Sequence, residues 1–170
     1  MTEFDTHSGS GNGTPSGTRP GTGSAAGADD RRETLLRLLT EHDGGVLTTL
    51  KRDGRPQLSN VNHMYYPGEG VIRVSLTDSR AKTRNLRRDP RASYHVTSED
   101  RWAWTVADCV AELSPVAADP HDAAVEALIR LYRDVRGEHP DWDDFRRAMV
   151  QDRRLVLSLR VEHVYGRPRG

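Results

Sequence analysis

The sequence predicts a mainly β chain of the α+β class, built as a small antiparallel barrel with peripheral helices. Two observations carry that prediction. β-prone runs follow one another across short turn signals, Asp53-Gly54 and Pro67 to Gly70, which is the signature of hairpins. No regular alternation of strand and helix is present, which argues against a doubly wound parallel sheet and for a small closed β architecture.

The elements follow in order. Met1 to Asp29 is rich in Gly, Ser and Thr and nearly empty of large apolar residues, so it is expected to be a disordered tail. The glycines Gly21 and Gly23 with Ala26 match a dinucleotide-binding fingerprint in form only, because no strand precedes them. The folded domain is expected over residues 30–166, with 167–170 as a short C-terminal tail. Asp29 or Asp30 caps a first helix whose apolar face is Leu35, Leu36, Leu38 and Leu39, and Gly44 and Gly45 are expected to stop it. Val46 to Leu50, Pro56 to Tyr66 and Val71 to Leu76 read as three strands. Ser79 is expected to cap a short helix that ends before Pro90. Ala92 to Thr97 and Thr105 to Leu113 are two more strands. Pro120 to Arg136 has helical spacing, with Val125, Leu128, Ile129 and Tyr132 on one face. A second short helix spans Asp141 to Gln151, and Leu155 to Tyr165 alternates as a closing strand.

Composition excludes several classes. Lys and Arg total 25, as do Asp and Glu, so the formal net charge is zero, unlike that of a general nucleic-acid binder. No apolar run reaches the length of a membrane span, and no secretory leader is visible. The single cysteine, Cys109, forms neither an internal disulfide nor a cysteine-rich metal site. A cytoplasmic protein without nucleic-acid or membrane partners is expected.

Three stretches can carry chemistry. Gln57, Ser59, Asn60, Asn62 and His63 place polar groups in a strand expected to be largely buried. They are either the wet face of a barrel strand or amides and hydroxyls that bond the edge of a heteroaromatic ring; each amide offers both a donor and an acceptor. Thr77, Ser79, Arg80 and Lys82 follow a strand and open a helix. Cations are unfavourable in a first helical turn, so Arg80 and Lys82 point to a bound anion such as phosphate. Arg84, Arg87 and Arg88 read as a solvated face. Trp102 and Trp104 at strand spacing are either packing residues or a hydrophobic wall over a planar ligand. His63, His95 and His163 show no metal-ligand spacing, so no metal is expected, and His63 reads as a hydrogen-bonded strand residue rather than a general base.

At these motifs the chain resembles a known family. Asp53 to Asn60 (DGRPQLSN) and Ser79 to Leu86 (SRAKTRNL), followed by Asp89-Pro90, resemble the pyridoxamine 5′-phosphate oxidase-like proteins, and within them the actinobacterial branch that uses the deazaflavin coenzyme F420. The resemblance continues through Trp102, Leu131 to Arg133, Asp141 to Phe145, Asp152 to Arg154 and His163 to Gly166. It implies an FMN-binding type of split β-barrel and a homodimer with cofactor sites at the subunit interface. It assigns the phosphate to Thr77, Arg80 and Lys82, and the ring to Gln57, Ser59, Asn60 and Val61, with Arg55 and Pro56 nearby. Aromatics such as Trp102 would come from the partner subunit. Two departures stand out: Ala81 separates Arg80 from Lys82, and no counterpart of the pyridoxamine phosphate oxidases' C-terminal substrate segment follows Tyr165. The expected function is an F420-dependent oxidoreductase acting on an unsaturated small molecule. The alternatives are an FMN-dependent enzyme on the same scaffold and a non-enzymatic carrier of the cofactor.

Overall fold

The structure, a computed structural model, describes residues 25–168. The chain runs α1 (Ala25–Glu41), β1 (Gly44–Leu50), β2 (Pro56–Asn62), β3 (Met64–Tyr66), β4 (Val71–Thr77), α2 (Ala81–Arg88), β5 (Arg91–Thr97), β6 (Trp104–Leu113), α3 (Ala123–Arg136), α4 (Trp142–Gln151) and β7 (Arg154–Arg167). Every strand pairing is antiparallel, in the order β2-β1-β5-β6-β7-β4-β3.

That order contains the shape. β2 and β3 are the two edges of the sheet, yet only His63 separates them in the chain. The edges must therefore lie side by side, and the sheet curls into a half-barrel with a seam at His63. The seam is pinned to the start of the fold: the His63 backbone N–H donates to the Asp43 carbonyl at 2.7 Å. The single strand expected over Pro56 to Tyr66 is thus two, because alternation runs unbroken through His63 while the hydrogen-bonding partner changes from β1 to β4.

Alternation fills the barrel. Leu47, Ile72, Val74, Leu76, Tyr94, Val96, Leu155, Leu157 and Leu159 point inward, and Leu35 and Leu39 of α1 plug one end. A second cluster lies outside β7, where Val125, Leu128, Ile129 and Phe145 of α3 and α4 pack on Val156. Asp122 and Asp141 cap these helices, each accepting a backbone N–H three residues on at 2.8 Å. Among the described residues no helix is long and apolar enough to cross a membrane.

Several expectations need correction. Residues 1–24 of the expected tail lie outside the described residues, but Ala25 to Asp29 are the opening of α1, not tail. Gly44 and Gly45 belong to β1 rather than to a helix stop. A Cβ on Gly45 would sit 2.6 Å from the His95 carbonyl oxygen and 2.8 Å from the Tyr94 ring, so glycine there permits a close approach between strands. α2 begins with Arg80 at its N-cap and no side-chain cap, so Ser79 does not perform that role. Finally, β2 is an edge strand with alternating exposed and half-buried residues, not a largely buried one, because the sheet's seam leaves it one neighbour.

Candidate functional site

α2 is held tightly although its first turn carries no cap. The Thr83 hydroxyl, fully buried, donates to the Thr77 carbonyl at 2.9 Å. The buried Asn85 amide donates to Thr49 Oγ1 at 3.1 Å and to Gln57 Oε1 at 2.8 Å, tying α2 to β1 and β2. Asp78, in the turn before α2, pairs with Arg87 and, at 2.9 Å, with Arg153. These bonds to Arg153 and Arg87 hold the Asp78 carboxyl below its ordinary pKa. Arg84 donates to the Ser79 carbonyl and Arg88 to the Leu50 carbonyl. The arginines on this side are partnered, as a solvated structural face requires.

The other side of α2 is different. A cavity of 520 Å³ opens between the end of β2, β4, the start of α2, the first residue of β7, and helices α3 and α4. Arg73, Arg80, Lys82, Arg136 and Arg154 reach its lining, and no carboxylate does. Among the described residues, Arg80, Lys82 and Arg154 form no ion pair. Burial, with the charges of Arg80 and Arg154 beside it, pushes the Lys82 ammonium below its ordinary pKa. Burial also lowers Arg154; Asp152 nearby offsets part of that, and Arg80 adds to it. Three mutually repelling cations, two of them partly buried, make a site that favours an anion. Hydroxyls line it as well: Arg154 donates through Nε and Nη2 to Ser75 Oγ at 3.2 and 2.8 Å, and through Nη1 to Thr77 Oγ1 at 3.2 Å.

The opposite wall is apolar, formed by Leu128, Leu131, Phe145 and Met149. Between the two walls the rim carries Asn60, Val61, Asn62 and His63. His63 is 2 % exposed and both its ring nitrogens are engaged, with the Leu39 carbonyl at 3.0 Å and the Tyr94 hydroxyl at 2.9 Å. A carbonyl only accepts, which assigns the proton to Nε2 and leaves Nδ1 to accept from Tyr94. Burial lowers the His63 pKa, so the ring is neutral and serves as a seam residue. Among the described residues no group of His, Cys, Asp and Glu is arranged to hold a metal ion.

Of the residues named from the sequence, the structure brings Asn60, Val61, Thr77, Arg80 and Lys82 to this cavity. Arg55 and Pro56 are exposed at the far end of β2, and Gln57 faces α2 through its bond to Asn85. Ser59 is half-buried on the face of β2 that also carries Gln57 and Val61. Ser79 lies in the turn, where its carbonyl accepts from Arg84. Trp102 sits in the turn before β6, 68 % exposed, with the Arg167 guanidinium 5.3 Å from its ring centre. Trp104 is instead half-buried beside Tyr165, so the two tryptophans do not act as one wall. Sequence reasoning missed Arg154, Ser75 and the apolar wall. The helical periodicity of Pro120 to Arg136 marked Leu128 as a packing residue, with nothing local to show that its face also borders a cavity.

Comparison with known proteins agrees with this fold. The family model described as pyridoxamine 5′-phosphate oxidase matches residues 32–167. Among solved structures, an F420 reductase superposes with a TM-score of 0.56 at 22 % identity, covering 75 % of this chain and 93 % of its own. A putative pyridoxamine 5′-phosphate oxidase from Listeria innocua gives 0.57 at 16 % identity, covering 80 % and 97 %. The heme storage protein HutZ from Vibrio cholerae gives 0.57 at 16 % identity, covering 78 % and 92 %. The structural likenesses carry the fold, and the family match spans all seven strands. The chain belongs to the pyridoxamine 5′-phosphate oxidase-like family of flavin-binding split barrels.

Proposed function

We propose that this protein binds a phosphate-bearing flavin-type cofactor, coenzyme F420, and uses it in two-electron reduction of an unsaturated small molecule. The observation that carries the reading is the cation and hydroxyl cradle of Thr77, Arg80 and Lys82, unpaired with any carboxylate and opening into a cavity rimmed by amides. That donor set suits a phosphate: the exposed N–H groups of the first turn of α2 add to two side-chain charges. Asn60 and Asn62 supply donors and acceptors to a ring edge. The likeness to an F420 reductase supports the deazaflavin.

Bound in its reduced form, F420 would supply the hydride for reduction of a double bond, with the accompanying proton drawn from solvent or a strand residue. The chain's own part is to anchor, orient and exclude water. Arg80 and Lys82 anchor the phosphate end, and Leu128, Phe145 and Met149 keep the far wall dry.

The reading includes a homodimer. Away from α3 and α4, the outer face of the curled sheet carries Leu58 at 63 % and Tyr165 at 46 % exposure, on that same face by strand register, with Trp102 in the turn before β6. A second copy covering these residues takes exposed apolar side chains out of water and also protects the β2 edge. Light scattering is expected to give twice the chain mass.

FMN is the second reading, favoured by the surplus of cations in the cradle, which also suits the dianion of a phosphate monoester. Fluorescence titration of the purified protein with F420 and, separately, FMN decides between them. Micromolar or tighter F420 binding with weaker FMN binding is expected; the reverse order overturns the F420 assignment. Cofactor binding without turnover on a broad panel of electron acceptors would instead make the chain a carrier, as a fold shared with a heme storage protein permits.

A further inference from the structure

His63 is a buried ionisable group that the proposed chemistry leaves unused, and its two sides differ in charge. On one side it borders the cofactor cavity, where Arg73, Arg80, Lys82, Arg136 and Arg154 reach the lining and, among the described residues, no carboxylate does. On the other it borders a second cavity of 330 Å³, enclosed by the end of α1, β3, the β5–β6 turn and the end of α3. Glu41, Asp43, Glu99 and Asp134 line that one, with no lysine or arginine among the described residues; His42 and the buried Tyr65 are its other ionisable groups. Asp134 accepts from the Tyr66 hydroxyl, while Glu41, Asp43 and Glu99 form no ion pair among the described residues. The ring thus stands in a field that runs from a cationic cavity to an acidic one. A neutral imidazole is indifferent to it, whereas an imidazolium is pulled toward the acids.

The hydrogen bonds around the ring leave room for a proton. Nε2–H donates to the Leu39 carbonyl at 3.0 Å in either charge state. Nδ1 accepts from the Tyr94 hydroxyl at 2.9 Å, and the same hydroxyl lies 3.3 Å from the Val61 carbonyl. Once Nδ1 carries a proton it becomes a donor to the Tyr94 oxygen, and the hydroxyl rotates to donate to Val61. Every polar group keeps a partner, but the charge does not: those partners are neutral, and the ring is 2 % exposed. Burial accordingly lowers the His63 pKa, while the Leu39 bond and Asp43 oppose that and His42 adds to it.

We propose that His63 is an acid-operated latch: on taking up a proton, its imidazolium is drawn out of the seam toward Asp43 and the acidic cavity, and the β2–β3 link follows it away from the cofactor cavity. The backbone bond from His63 to the Asp43 carbonyl already ties the link to that side. Asn60, Val61 and Asn62 immediately precede the latch and form the rim of the cofactor cavity, so the rim loosens with the seam. The latch stands on the fold alone; only its effect on a bound ligand rests on the cofactor reading. The sign follows from the lowered pKa. The neutral ring holds the seam, so closure is complete above the ordinary histidine value of 6.5 and weakens as pH falls from there through the lowered one.

The test is amide hydrogen exchange on the full chain at about pH 7.5 and about pH 5.5, corrected for the intrinsic rates, with imidazole NMR signals following each histidine's titration. Protection of the β2 and β3 amides is expected to fall about tenfold, the ratio of charged to neutral imidazole at the lower pH in an opened seam. Protection in β6 is expected to hold within about threefold, which separates the latch from general acid unfolding. His63→Gln, whose amide donates to Leu39 but takes no proton, is expected to remove the pH dependence. Asp43→Asn, which removes a carboxylate that draws the ring, is expected to move the fall to lower pH. Saturating F420 is expected to shift the His63 titration further down, the reciprocal of weaker binding to the protonated protein. Unchanged β2 and β3 protection at the lower pH overturns the latch, as does an equal fall in His63→Gln or a His63 that titrates at or above its ordinary value. A His63 titration that bound F420 leaves in place overturns the coupling to the site. If F420 does not bind but the His63-dependent fall remains, the cofactor reading fails and the latch stands. Melting curves show whether His63→Gln is folded, and Asp43→Asn carries the comparison if it is not.

Discussion

The two sides of α2 carry similar side chains and opposite electrostatics. On one side Arg87 and Arg153 converge on Asp78, while Arg84 and Arg88 reach backbone carbonyls. On the other, Arg80 and Lys82 meet Arg154, and among the described residues no carboxylate forms an ion pair with any of the three. An arginine-rich stretch is thus half scaffold and half site, and what separates the halves is where each counter-charge comes from. Scaffold cations find theirs within the fold; the site's are left for a ligand.

Removing equal charge from each side tests this comparison most strongly. Replacing Arg80 and Lys82 together by alanine is expected to weaken cofactor binding by about 100-fold or more, at about 1.5–3 kcal/mol per charge-assisted contact. Replacing Arg84 and Arg87 together is expected to change it by less than about threefold, since exposed charges that already have partners add little to binding. Similar losses in the two double variants, read by fluorescence titration, would erase the distinction.

The next effect concerns the strut between the sides. Asn85→Ala leaves Gln57 Oε1 and the buried Thr49 hydroxyl without their donor. A cost of about 1–3 kcal/mol in urea unfolding is expected, together with weaker cofactor binding as the start of α2 loosens. A stability change without any change in binding would separate α2 packing from the cradle.

Two smaller effects follow from titration. Lys82 has its pKa lowered by burial and by its cationic neighbours. Its charge is present below that lowered pKa and is lost as pH rises through it, so cofactor affinity is expected to fall on the alkaline side earlier than a free lysine would allow. Lys82→Arg is expected to flatten that fall, because a guanidinium stays charged throughout. On the other side, the bonds from Arg153 and Arg87 lower the folded pKa of Asp78 from its reference value of 3.8. The stability these pairs add is therefore full above that reference value and is lost as pH falls through the folded pKa. The difference in melting temperature between the unmodified protein and Asp78→Asn is expected to be constant from neutral pH down to about 5 and to shrink below about 4.

How far the sequence could be read follows the same divide between local and distant causes. The α3 and α4 helices were visible because periodicity and capping are local, and Asp141 does cap α4. Thr77, Arg80 and Lys82 were visible because cations at a helix start are locally unfavourable. Arg154 was not: beside Arg153 in the same short run it looks identical, and only the β4–β7 pairing sends one toward Asp78 and the other onto Ser75 and Thr77. The role of Gly45 was hidden for a similar reason, since the crowding it relieves comes from Tyr94 and His95 on another strand. Gln57 fitted a ring contact as an amide on the right strand, yet its oxygen is taken by Asn85 from a helix that follows much later.

The one-residue link at His63 also bears on how the molecule opens. β2 and β3 each have a single hydrogen-bonded neighbour, β1 and β4, so each alone would fray as sheet edges do. Joined through a buried imidazole that is bonded to Leu39 and Tyr94, neither can peel away without pulling on the other. Amide hydrogen exchange along the two strands should then proceed in concert, at one shared rate, and a ligand lying across the seam at Asn60 to His63 would slow both together.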